Sequence, residues 1–427
     1  MKKAYQVLFD EDDGRACKDI PDAACSALPT NFFLLLIAQS LTALADLISN
    51  PKTVLSWLGA TLGVPAGFIA WFVPLREAGA MLPQLLIGAW VRQFAIRKRF
   101  LLGGSVVQAA ALAGMALCAL TLQGFTAGLV ILSLLLLFSL ARGFNSVAMK
   151  DVVGKTIPKG RRGRLGGIAT AIAGMMTAGC AVTLYQQDAA SAVTYSMLLF
   201  IAAALWLLAA LLFTALREHA GATDGGENAW QQALSNISLL KQDNTLRNFV
   251  LCRAMLSSSA LALPFIVVLT QQHSADAKML AVLLVASSLA TALIGPLWGK
   301  LADSNSKTVL FYAGLLSAAG CAATLLLSAQ SLIAPLWALP VLFVVLSIAH
   351  GGVRLARKTY LLDIATGNTR TDYVSVSNSV IGLFLLVMGA VAALFASYSV
   401  NAVIGLFCLL NLVGAVISRR MTATTTA

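Results

Sequence analysis

Charge is what this chain most lacks. Asp, Glu, Lys and Arg make up 11% of its 427 residues, against about 25% in a typical soluble domain. That scarcity excludes an ordinary soluble enzyme or scaffold. Cysteine is sparse as well. Five of the seven (Cys118, Cys180, Cys252, Cys321 and Cys408) fall in apolar segments and read as small packing residues. Cys17 and Cys25 lie near the N-terminus without CxxC spacing, so neither a disulfide framework nor a zinc site is expected. No Walker motif, HExxH or Cys/His cluster occurs, and the Gly-rich "GGIATAIAG" has no lysine and lies in an apolar run. No cofactor, no metal and no catalytic constellation is therefore expected. Residues 1–30 have no apolar h-region of a signal peptide and read as a polar, acidic cytosolic tail.

What the chain has instead is hydrophobicity: 59% of its residues and a mean hydropathy of +0.83. A spanning helix needs roughly 20 mainly apolar residues. Twelve stretches qualify: 31–49, 64–90, 100–121, 125–145, 166–186, 191–216, 249–271, 277–299, 308–328, 334–356, 373–397 and 399–418. The expected fold is thus an all-α polytopic membrane protein. The formal net charge of +12 has a topological explanation, since Lys and Arg collect in cytoplasmic loops. With no soluble basic domain, nucleic acid is not an expected partner. With both termini inside, one cytoplasmic loop holds Arg92, Arg97, Lys98 and Arg99. Another holds Lys150, Lys155, Lys159, Arg161, Arg162 and Arg164, and a third Arg357, Lys358 and Arg370. The external loops carry only Lys52 and Lys278. An odd number of spans would destroy this asymmetry.

The longest polar interruption, 217–248, divides the chain into a six-helix unit at 31–216, a cytoplasmic linker, a second six-helix unit at 249–418 and a tail at 419–427. Trp230, Leu234, Ile237 and Leu240 recur in the linker at helical spacing, as in an interfacial or packed amphipathic helix. The halves repeat. Arg142-Gly143, Lys150 and Arg162 align with His350-Gly351, Lys358 and Arg370 at one common offset. A parallel repeat of this kind places its axis along the membrane normal.

Residues 299–307, "GKLADSNSK", resemble the cytoplasmic loop motif of the major facilitator superfamily, G-x-L-a-D-r-x-g-r/k. Gly299 and Asp303 match, while Ser304 and Ser306 replace the usual Arg and Gly. The first-half copy keeps Gly88, with Arg92 in place of the acid. The resemblance implies two six-helix lobes about a central cavity, alternating access, and a cytoplasmic latch at Gly88, Arg92, Gly299 and Asp303. It implies that the first, fourth, seventh and tenth spans line the cavity. Helix five keeps Gly167, Gly174 and Gly179 but lacks the Pro of the antiporter motif.

An ionisable residue at a helix centre costs roughly 2.5–3.5 kcal/mol on insertion scales, so each should be paired, cavity-facing or functional. Arg76 and Glu77 are sequence neighbours but point about 100° apart on a helix. Arg76 is expected to reach Asp46, near the outer end of the first span. Glu77 is left either to carry a proton or to join a structural network. Arg142, Arg253, Ser257 and His350 are candidate cavity residues, the arginines for an anionic group and His350 as a group titrating near neutrality. Their bland alternatives are snorkelling to the interface and helix packing. These observations favour a secondary transporter of a small organic molecule, proton-coupled and monomeric, in a bacterial inner membrane, with export ahead of import. The alternatives are an importer or facilitator of a small organic anion and, in another class, a transport-dead sensor.

Overall fold

The computed structural model describes residues 22–186, 191–221, 223, 238–273, 276–329, 337–364 and 369–422. Among them the secondary structure is helical and no strand occurs. In hydrocarbon every backbone N–H and C=O must be satisfied within its own segment, and the helix does this. The helices are α1 (Asp22–Ile48), α2 (Val54–Thr61), α3 (Ala66–Met81), α4 (Gln84–Arg92), α5 (Lys98–Thr121), α6 (Gly124–Thr156), α7 (Lys159–Tyr185) and α8 (Ala192–Thr214). Then follow α9 (Leu239–Gln242), α10 (Asn244–Leu256), α11 (Ser258–His273), α12 (Ala277–Ala329), α13 (Ala338–Ile364), α14 (Thr369–Ala396) and α15 (Val400–Arg420).

Ten helical stretches are long and apolar enough to cross a membrane. The other two expected spans are present in altered form. The second is broken at Leu82-Pro83 into α3 and α4, because Pro83 has no N–H to continue the ladder. The eighth is the first limb of α12, whose 53 residues run through a kink at Asn305 (φ −161°, ψ 88°). The expected tail also shortens, since α1 already begins at Asp22. Of the amphipathic linker segment, Trp230, Leu234 and Ile237 lie outside the described residues, and Leu240 stands in the one-turn α9.

The first span is discontinuous, which the sequence reading did not anticipate. It ends as α1 at Ile48, turns through Ser49–Thr53, and resumes as α2, whose Val54 to Gly59 are buried. Pro51 prevents continuous hydrogen bonding at the turn. Local bonds close it: Lys52 N–H donates to Asn50 Oδ1 at 2.9 Å and Ser56 Oγ donates to the Pro51 carbonyl at 2.5 Å. The far end of α2 lies level with the starts of two other helices. The Leu62 carbonyl accepts from Gly124 N–H at 2.8 Å, and Trp57 Nε1 donates to Tyr195 Oη at 2.8 Å. Lys52 precedes Leu62 by ten residues, so the break lies roughly 15 Å in from that end. Lys52 therefore stands inside the bundle and not in the external loop where the sequence reading put it.

The two halves meet most extensively along two seams, α3 with α14 and α7 with α12, and α11 also touches α2 and α3. The α3–α14 seam is made by glycines. A Cβ on Gly389 would stand 2.8 Å from Trp71 Cε3, and one on Gly382 2.7 Å from Leu82 Cγ. Such small residues let backbones approach closely where no hydrophobic effect drives association. The antiporter-motif glycines Gly167, Gly174 and Gly179 of α7 have open space where a Cβ would stand. Lys150 and Lys358, equivalent under the repeat, lie close enough for Lys150 to act on Lys358 electrostatically.

Candidate transport site

Ionisable side chains from both halves converge around the break in the first span. Arg76 Nη2 donates to Asp46 Oδ1 at 2.9 Å, the contact expected from the sequence. The Arg76 guanidinium also lies over the Phe138 ring, 4.7 Å from its centroid. Arg142, read from the sequence as an anion-binding residue, is instead a second donor to the same carboxylate, through Nη1 to Asp46 Oδ2. Asp46 is thus a shared counter-ion joining α1, α3 and α6. It lies deeper than the outer end of a span because α2 continues the span beyond it.

Glu77 points elsewhere. Among the described residues no cation lies within 4.0 Å of its carboxylate and no side chain hydrogen-bonds it. The cations that act on it most strongly are Lys52, then Arg76, Arg142 and Arg357. Glu77 stands roughly 17 Å into α3 at the helical rise, level with Lys52. It is half-buried, as are Lys52, Arg142 and His350. Intramembrane charges of this kind are tolerated where they face the interior of a bundle and pair with one another.

The second half answers with α13. His350, Arg354 and Arg357 follow one another at i, i+4 and i+7 and so share one face. The sequence reading placed Arg357 in a cytoplasmic loop, but it is helical and feels Glu77 more strongly than any other charge. His350 joins the halves: Lys52 Nζ is 3.0 Å from His350 Nε2, and Ser259 Oγ is 3.1 Å from His350 Nδ1. An ammonium only donates. Nε2 therefore accepts, Nδ1–H donates to Ser259 Oγ, and Ser259 Oγ–H donates to the Leu256 carbonyl at 2.8 Å. Every proton in this chain has its acceptor with His350 neutral.

Arg253 is 6% exposed. It donates to Ser377 Oγ at 2.5 Å and to Asn378 Oδ1 at 2.9 Å, and Asn378 Nδ2 donates to Gln84 Oε1 at 3.2 Å. Arg253 thus braces α10, α14 and α4 across the seam. Ser257, just past the end of α10, bonds back to the Arg253 carbonyl at 2.8 Å. The structure brings together Asp46, Arg76, Glu77, Arg142, Arg253 and His350, and it adds Lys52, Arg354 and Arg357. The helical spacing of the α13 stripe could have revealed its two arginines. Nothing in the sequence pointed to Lys52, whose place depends on the turn at Pro51.

The proposed latch is only partly described. Gly88 has open space around it and Arg92 is exposed at the end of α4. Gly299 and Asp303 lie in α12 with side chains outside the described residues. A different network ties the basic end of the first half. The Glu218 side chain is fully buried and accepts from Arg97 N–H and Lys98 N–H at 3.0 and 2.7 Å and from Lys155 Nζ at 3.0 Å. Arg97 Nη1 donates to Asp151 Oδ2 at 2.7 Å. In the second half Asp243 caps α10, accepting from Thr245 and Leu246 N–H and from Tyr373 Oη. Burial disfavours the Asp243 carboxylate, but these three donors outweigh it and hold the group below its ordinary range. The bond to Asp243, with burial, pushes the Tyr373 hydroxyl up to about 12. Among the described residues no cluster of His, Cys, Asp and Glu is placed to hold a metal ion.

Residues 249–425 match the sequence model of the Major Facilitator Superfamily. No curated protein matches the chain by sequence. In structure the chain is similar to a D-xylose–proton symporter, with a TM-score of 0.70 and 12% identity, covering 93% of this chain and 99% of the symporter. It is also similar to a POT family transporter in complex with 5-aminolevulinic acid (0.69, 11%, 95% and 98%) and to the nucleoside transporter NupG (0.66, 14%, 91% and 99%). At these identities the likeness is one of fold.

Proposed function

We propose that this chain, a major facilitator superfamily protein by its fold and by the sequence of its second half, is a secondary transporter of a small organic anion. The observation that carries the reading is the positive charge of this cluster. Among the described residues, Lys52, Arg76, Arg142, Arg253, Arg354 and Arg357 gather around Asp46 and Glu77, a formal excess of four positive charges. A low-dielectric site of one sign concentrates ligands of the other. The site lies between the two halves, where alternating access about a fixed site requires it. This reading promotes the anion alternative over an uncharged or amphipathic substrate.

Protons are the proposed coupling ion, and Glu77 the proposed carrier. Among the described residues its carboxylate has no ion pair, whereas Asp46 is held by two arginines. The neutral donor chain through His350 supports a positioning role for that residue. The protein works as a monomer in the inner membrane of a bacterium. The end bearing Arg97, Lys155 and Glu218 faces the cytoplasm, and both termini lie on that side. Net direction follows the imposed gradients, so export and import are read in the same assay. Proteoliposomes are loaded with a panel of organic anions, neutral sugars and organic cations, with and without a pH gradient. Flux of an anion, accelerated by the gradient in the parent and not in Glu77→Gln, is the expected result. Flux restricted to neutral or cationic compounds would overturn the anion reading, and intact gradient-driven flux in Glu77→Gln would overturn the proton role.

A further inference from the structure

The cations at the centre are not equivalent. Arg76 and Arg142 are both committed to Asp46. Arg253 is buried against Ser377 and Asn378. That leaves Lys52, Arg354 and Arg357, none of which has a carboxylate within 4.0 Å among the described residues. Among the described residues, the acid acting on Lys52 and on Arg357 is Glu77. His350 adds no charge, because its two nitrogens are fixed as acceptor and donor by Lys52 and Ser259. Three positive charges against one negative leave an excess of two. Lys52 and Arg357 are half-buried, where an excess of this kind favours a bound counter-ion, and Arg354 is exposed and open to one.

The surroundings suit one. Arg354 is exposed on the α13 stripe, and Gly351, one residue beyond His350, has open space where a Cβ would stand. Guanidinium groups bind carboxylate and phosphate oxygens in bidentate fashion, while an ammonium acts as a point charge. Lys52 stands on the first half and the two arginines on the second.

Building on the anion reading above, we propose that the substrate is a dianion, a dicarboxylate or a phosphate monoester. Its charges are taken by Lys52 on one half and by Arg354 and Arg357 on the other. With Glu77 ionised, its carboxylate is the built-in counter-charge that sets the number at two. Removing Glu77 raises the preferred charge by one, and removing one arginine lowers it by one.

The test titrates the purified full-length protein in nanodiscs with succinate, butyrate, glucose 6-phosphate, glucose and citrate, reading binding by thermal shift. Succinate or glucose 6-phosphate should bind at least about tenfold more tightly than its singly charged or neutral counterpart, the scale of one charge-assisted hydrogen bond. Which of the two responds identifies the source of the dianion. In Glu77→Gln the optimum should move to citrate, and in Arg354→Gln to butyrate. Arg354→Lys should keep the parent preference, which separates lost charge from lost packing. Butyrate binding as tightly as succinate, an unchanged charge preference in both charge-removing variants, or no binding of either dianion at millimolar concentration would overturn the proposal. Binding of glucose with no anion bound would overturn the anion reading as well, whereas anions bound without charge preference would overturn the dianion alone.

Discussion

Replacing Asp46 with Asn removes a carboxylate shared by two guanidinium groups. Arg76 holds one of its oxygens at 2.9 Å and Arg142 the other. With an amide in that place, two like charges face each other in the interior. Removing one partner of a buried pair costs about 3–5 kcal/mol, because the remaining charge is left uncompensated. The Arg142 side chain is 35% exposed and that of Asp46 23%, so solvent screens part of this. The lower end, about 3 kcal/mol, is the better figure for Asp46→Asn. If each six-helix half unfolds as a unit, about 2–4 °C per kcal/mol gives a fall in Tm of roughly 6–12 °C. Intrinsic tryptophan fluorescence in nanodiscs would follow this melt, since Trp57 and Trp71 stand in the same half. The double variant Asp46→Asn with Arg76→Met removes the more buried cation as well and should recover at least half the loss. A single variant melting within about 2 °C of the parent, or a double variant with no recovery, would refute the shared counter-ion.

Gly389→Val should hold the α3–α14 seam open, because its Cβ would meet Trp71 at 2.8 Å. Overpacking of this kind costs about 1–3 kcal/mol, and labelling of a cysteine introduced at Ala393 should rise accordingly. Glu218→Gln weakens the cluster at the basic end, where the fully buried side chain accepts from Arg97, Lys98 and Lys155. A lower Tm with the substrate profile unchanged is expected, and a changed profile would place Glu218 in the transport cycle. The Asp243–Tyr373 pair predicts stability lost at both pH extremes. Asp243 titrates below its ordinary range, so its contribution is present above the unfolded value and lost as pH falls through the folded one. Tyr373 is pushed up to about 12, so its contribution is present below the unfolded value of about 10 and lost as pH rises toward the folded one. Tyr373→Phe should reduce the alkaline loss and move the acid loss to higher pH in a pH–Tm series.

Hydropathy and loop charge revealed the helical class, the spans and the basic end, because both follow from transfer energies summed over twenty or so residues. The Arg76–Asp46 contact was also legible, since helical geometry separates Arg76 from Glu77 and Asp46 was the only acid in the first span. The centre of the site was not. Lys52 reads as an external-loop residue until the turn at Pro51 folds it back. That turn is a local event of five residues which a window of twenty averages away. Arg354 and Arg357 were hidden for a related reason: positive charge near a span end counts as a topology signal, although here it continues the helix face begun by His350. Arg142 and Arg253, read from the sequence as cavity residues, are bonded to Asp46 and to Ser377 and Asn378 respectively. Charge count alone cannot tell a brace from a free cation; only the partners do.

The central claim is that unpaired cations from both halves carry an anion across the membrane. Counterflow of a labelled organic anion into proteoliposomes tests it most directly, comparing the parent with Lys52→Gln and Arg357→Gln, one cation from each half. The account predicts saturable counterflow in the parent, near loss of flux in each variant, and a Tm in both within a few degrees of the parent. Undiminished anion counterflow in both variants would contradict it.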